Sequence, residues 1–145
     1  MNTQIEILLV EDSMSDAEMT IDALKENGFN HKILHLKDGV AALEYLFSEG
    51  VYSGRKKVNP PRVILLDLKM PKVSGIEVLR KIRSDDRTRR IPVVVLTSSR
   101  EDPDMQKCYD LGVNSYVVKP VEFEEFQKEI AGLGLYWMIV NQQPL

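Results

Sequence analysis

Five side chains able to bind or transfer a charged group stand where apolar runs stop: Glu11 and Asp12 after IEILLV, Asp67 after RVILL, Thr97 after IPVVVL, and Lys119 after NSYVV. Asp67 is the most unusual, because VILLD runs on into LKMPKVSG, whereas a carboxylate leaving a strand ordinarily caps a helix at once or makes a tight turn. Carboxylates gathered in one pocket repel each other until one is protonated or a cation offsets them. A divalent ion with oxygen preference does this, and magnesium in particular is held by few carboxylates while keeping much of its water. A hydroxyl and an ammonium at the same rim complete the needs of phosphoryl transfer, which are an oxygen nucleophile and positive charge where the phosphoryl oxygens grow negative. Spacing along the chain does not bring these residues together; the fold has to.

The elements that would do so are written as alternating patterns. Strands are expected at 5–10, 31–36, 62–67, 91–96 and 114–118, several of them almost continuously apolar, as parallel strands covered on both faces are. Between them lie helical stripes: Met14, Ala17, Ile21 and Leu24; Val40, Leu43, Leu46 and Phe47; Ile76, Leu79 and Ile82; Met105, Cys108 and Leu111; Phe123, Phe126 and Ile130. Ser74 and Glu77 have the spacing of a capping box, Ser13 with Asp16 makes another start, and Asp102 before Pro103 reads as a cap followed by proline. Gly28, Gly50 and Gly112 fall where helices would end. A (βα)5 order with right-handed crossovers gives an α/β doubly wound parallel sheet of the flavodoxin-like class, strand order 2-1-3-4-5. Ligands of such sheets bind beyond the carboxyl ends of the strands where the order reverses, between the first strand and the third. Glu11-Asp12 and Asp67 would face that crevice together.

Composition narrows the class without naming it. A chain of 145 residues, 43% hydrophobic and 28% charged, suits a single domain with its own core. Its apolar runs are too short to span a bilayer, its start lacks a basic signal segment, and its lone Cys108 leaves no intrachain disulfide, so the expected place is the cytoplasm, with no membrane partner. The net charge of −3 speaks against nucleic acid as a partner.

Taken jointly, Glu11-Asp12, the D-L-K-M-P-K-V-S-G run from Asp67, T-S-S from Thr97 and Y-V-V-K-P from Tyr116 resemble the receiver domain of two-component response regulators, over nearly the whole chain. The resemblance implies a single receiver domain over 1–145 without an output domain, a switch rather than an enzyme, with self-catalysed phosphoryl transfer. On it, Asp67 is the phosphoacceptor for the phosphohistidine of a sensor histidine kinase, and Mg2+ is held by Asp12, Asp67, the Lys69 carbonyl and Glu11, the last acting through water. Lys119 pairs with a phosphoryl oxygen, and its bond to Pro120 is cis. Thr97 and Tyr116 form the moving pair that signals through the surface of the fourth helix, fifth strand and fifth helix.

Other features carry less chemistry. His31 and His35 alternate on one strand and fit a half-wet face better than a metal pair, and Cys108 lies on an apolar stripe where a thiol is inert. Two stretches exceed a minimal receiver: the loop 48–61, with Arg55, Lys56 and Lys57, and the apolar extension 134–145. The extension carries more apolar surface than one helix face can bury, which suggests a homodimer through this region or through the switch surface, the alternative being a longer core contact. Both stretches are also similar to single-domain regulators of phytochrome-type kinases. Two other functions fit the fold less well. A haloacid dehalogenase type phosphohydrolase needs an acid where Lys69 stands, and a flavin carrier needs a phosphate loop where Glu11-Asp12 stands.

Overall fold

The structure is a computed structural model that describes residues 5–29, 32–54, 60–120 and 122–142. His31, the Arg55 to Lys57 cluster and the end of the C-terminal extension lie outside the described residues. The elements are β1 (Ile7–Val10), α1 (Met14–Glu26), β2 (Ile33–Leu36), α2 (Gly39–Leu46), β3 (Val63–Leu66), α3 (Gly75–Ser84), β4 (Val93–Thr97), α4 (Asp102–Asp110), β5 (Ser115–Val118) and α5 (Phe123–Leu135). A 3-10 turn at Gly50–Tyr52 follows α2, and a π turn at Tyr136–Val140 follows α5. The strands pair in the order β2-β1-β3-β4-β5, all parallel, as the alternation of strand and helix requires.

Every residue of β1, β3 and β4 is buried, because alternate side chains serve two different cores. Leu8, Val10, Ile64, Leu66, Val93 and Val95 pack with Ala42, Val78, Leu79, Ile82 and Cys108 of α2, α3 and α4. Ile7, Leu9, Val63, Leu65, Val94 and Leu96 pack on the other face with Ala17, Leu24, Phe126 and Ile130 of α1 and α5, joined by Trp137 and Met138. Strands covered in this way lack polar alternation. Met14, Val40 and Phe123, each expected on a buried stripe, are exposed instead, and each stands in the first turn of its helix.

The helix starts follow the sequence in part. Ser13 and Ser74 cap α1 and α3, accepting from the amides of Asp16 and Glu77. Asp102 does not cap α4: it is the first helical residue, Glu101 occupies the cap without a side-chain bond, and the Ser99 hydroxyl accepts from the Glu101 amide instead. Gly28, Gly50 and Gly112 all have positive φ; Gly28 and Gly112 end helices, whereas Gly50 begins the 3-10 turn, the chain having already reversed at Ser48. Among the described residues no helix is long and apolar enough to cross a membrane.

Candidate functional site

Parallel pairing carries the strand ends to one edge in register. The Asp67 amide donates to the Val10 carbonyl at 3.0 Å and the Glu11 amide to the Leu36 carbonyl at 3.0 Å, so β1 and β3 deliver their acids side by side. On the far side, the Lys119 amide donates to the Thr97 carbonyl at 2.7 Å, which brings the ends of β4 and β5 to the same edge. The loop from Asp67 to Gly75 folds back on its own origin: the Gly75 amide donates to the Leu68 carbonyl at 2.8 Å, and a Cβ at Gly75 would lie 2.2 Å from the Asp67 carbonyl oxygen. Only glycine permits that approach, and the closure explains why β3 leads into Met70-Pro71 before α3 begins.

Within the crevice Glu11, Asp12 and Asp67 each bring a carboxylate oxygen within 4.8 Å of the others. Glu11 and Asp67 are buried and Asp12 is exposed, so the group opens to solvent on one side. Such an all-oxygen, net negative donor set suits a hard divalent cation. Burial pushes the Glu11 carboxyl up to about 7, with Lys119 opposing the rise and Asp67 adding to it. Local hydrogen bonds hold the acids in place: Glu11 Oε2 accepts from the Ser13 amide at 3.1 Å, and Asp67 Oδ1 from the Leu68 amide at 2.8 Å. His35 is part of this scaffold, its Nε2 donating to the Glu11 carbonyl at 2.7 Å, which gives it a structural task at the end of β1.

Lys119 Nζ lies 2.6 Å from Glu11 Oε1, 2.8 Å from Asp16 Oδ2 and 3.7 Å from Asp67 Oδ2. Burial alone would lower its pKa, but the bonds to Asp16 and Glu11 outweigh burial and hold it above the ordinary lysine value. The Lys119–Pro120 peptide corrects an expectation. No peptide bond among the described residues is cis; trans is the lower-energy isomer before proline, by about 0.5–1 kcal/mol, and from it Lys119 already reaches the acids. Lys69, two residues beyond Asp67, is exposed in the closing loop.

Thr97 is fully buried, and its hydroxyl accepts from the Ser99 amide at 3.3 Å. Tyr116 is half-buried against the α3 and α4 side of the sheet, with its hydroxyl donating to the Ser99 carbonyl at 3.0 Å. Ser99 therefore joins the two groups that the sequence pairs, and its own hydroxyl donates to Asp104 Oδ2 of α4 at 2.7 Å. Sequence reasoning placed Ser99 only inside a motif and Asp16 only as a cap neighbour. The signal for Asp16 was its place on the first turn of the helix that opens beside Glu11.

The fold and this edge have clear counterparts. The family model for the response regulator receiver domain matches residues 7–131. FilR2 of Methanothrix harundinacea, a probable methanogenesis regulatory protein, is 45% identical over 95% of this chain and 86% of its own. Response regulator Rcp1 of Synechocystis is 39% identical over 91% of this chain and 88% of its own; its Mn2+-bound structure superimposes with a TM-score of 0.87. The structure of the phosphorylated cyanobacterial phytochrome response regulator RcpA is similar over 98% of this chain and 99% of that one, at 36% identity and a TM-score of 0.89. With the acids, the hydroxyl and the ammonium all at the carboxyl edge of a 2-1-3-4-5 sheet, the chain belongs to the response regulator receiver domain family.

Proposed function

We propose that this receiver is a phosphorylation switch in which Asp67 takes a phosphoryl group from a phosphohistidine on a sensor histidine kinase. An Asp67 carboxylate oxygen forms the new P–O bond as the P–N bond to the histidine breaks, and the electron pair stays on the imidazole nitrogen. The observation that carries this reading is the approach of Lys119 Nζ to Asp67 Oδ2 at 3.7 Å beside acids whose oxygens lie within 4.8 Å of one another. Glu11, Asp12, Asp67 and the Lys69 carbonyl would hold a magnesium ion, which when bound offsets charge on the phosphoryl oxygens. Lys119 supplies a second positive charge to those oxygens.

Phosphorylation adds roughly −1.5 to −2 charge and new acceptor oxygens. The Thr97 hydroxyl then turns from the Ser99 amide toward the phosphoryl group, and Tyr116 packs into the space behind it. Both contacts converge on Ser99, so the change reaches α4 and the α4-β5-α5 surface. The likeness to RcpA supports a phytochrome-type kinase upstream. The exposed apolar side chains of the C-terminal region support a homodimer. Neither nucleic acid nor membrane is a partner on this reading, and the protein works in the cytoplasm as an acceptor, not a turnover enzyme.

Incubation with acetyl phosphate and magnesium, followed by intact-mass measurement, tests the central step. A labile gain of one phosphoryl group is expected in the native chain and none in Asp67→Asn. Equal labelling of both chains would remove Asp67 from the role.

A further inference from the structure

Lys119 is shared unequally among three carboxylates, and one of its two close partners is not part of the metal-binding group. Asp16 stands outside the cluster formed by Glu11, Asp12 and Asp67. Its backbone is fixed on both sides, the amide donating to Ser13 Oγ at 3.3 Å and the carbonyl accepting from the buried Thr20 hydroxyl at 2.8 Å. The Lys119 side chain is only 11% exposed, so its ammonium is held chiefly by the acids around it.

Resting on the reading that the cluster holds a divalent cation, we propose that Asp16 is a positioning residue that parks the Lys119 ammonium on the α1 side of the crevice, keeping it off Asp67. A cation that engages Glu11 competes with Lys119 for that carboxylate, whereas Asp16 stays available to the ammonium throughout. Without Asp16 the remaining acceptor is Asp67, at 3.7 Å, and the flexible lysine stem can close that gap. An ammonium seated on Asp67 would oppose a divalent cation there by like charge and by occupying one of its oxygens.

Mn2+ serves as the probe, titrated into the full chain and followed by its electron paramagnetic resonance signal, with no phosphodonor present. Circular dichroism checks that each variant is folded. Asp16→Asn is expected to weaken Mn2+ binding about three- to tenfold, and Asp16→Glu to stay within about twofold of the native chain. In a Lys119→Gln background, Asp16→Asn is expected to change the affinity less than about twofold, because the effect passes through the ammonium. An equal loss in both backgrounds would make Asp16 a plain surface charge and overturn the proposal. So would unchanged binding in folded Asp16→Asn. A native chain that takes up no Mn2+ would overturn the metal reading itself along with this inference, an outcome distinct from the other two.

Discussion

Cys108 shows how burial sets reactivity at the scale of one side chain. The thiol is fully buried in the core between the sheet and α3–α4, and desolvation pushes its pKa up to about 11, with the Asp104 carboxylate adding to the rise. Between the ordinary value of 9.0 and about 11 the folded chain keeps a proton that the unfolded chain releases. The stability owed to this group is therefore complete below the lower value and is lost as pH rises toward the upper one. Native protein at neutral pH is expected to leave a disulfide exchange reagent unreacted until denaturant is added. The difference in Tm between the native chain and Cys108→Ala should narrow through that alkaline window. Reaction at the rate of a free cysteine would show the thiol to be accessible. Glu11 is buried as deeply, but it faces an ammonium and two acids, so its burial prepares a binding site where that of Cys108 removes reactivity.

At the scale of elements, the loop between β3 and α3 is what turns an apolar strand into a site. Gly75 closes it, and the atoms an added Cβ would meet, the Asp67 carbonyl at 2.2 Å and Leu68 Cα at 2.7 Å, are backbone and cannot swing away. Gly75→Ala should therefore destabilise the fold by about 2–4 kcal/mol and reduce labelling by acetyl phosphate, because Asp67 itself must shift. Gly132→Ala is the matched control: its Cβ meets nothing within 4 Å in α5, and the helical change should stabilise by about 0.5–1 kcal/mol. Urea unfolding of the two variants decides it, and equal effects would show that the loop tolerates the methyl. The same contrast explains what the sequence disclosed. Glu11, Asp12, Asp67, Thr97 and Lys119 were legible because each ends a strand, and strand order alone then assigns them to one edge. The contact of Asp16 with Lys119 was not, since it depends on how α1 is rotated and how far a lysine stem extends. Nor were the trans bond before Pro120 and the displacement of Asp102 from the cap of α4, which turn on small local differences in energy and hydrogen bonding.

At the scale of the whole molecule, the C-terminal turn decides how much apolar surface is left exposed. The extension divides in two: Trp137 and Met138 enter the core beside α1 and α5, and the Met138 carbonyl is bound by Arg62 Nη1 at 2.9 Å. The wider π turn is closed by the Asn141 amide on the Tyr136 carbonyl at 2.7 Å, and it puts Trp137 and Met138 inside. Leu135, Tyr136, Ile139 and Val140 remain 49–60% exposed. Burying the rest of each is worth about 1 kcal/mol, or about 8 kcal/mol for a symmetric pair, within the range of about 4–15 kcal/mol that association costs. The patch alone therefore supports a weak dimer in which every contact counts. Phe123, exposed at the start of α5, stands on the proposed switch face and would add to it if that face joins the interface. For the turn alone at most about 4 kcal/mol remains, a Kd of about 1 mM. Light scattering should therefore show the mass rising from one chain toward two as the concentration approaches the millimolar range, and Ile139→Asp should stay a monomer with an unchanged circular dichroism spectrum. Phosphorylation that shifts this equilibrium in the native chain and not in Asp67→Asn would tie the dimer to the switch. A native chain that stays monomeric across that range, phosphorylated or not, would show that the exposed turn does not mediate self-association.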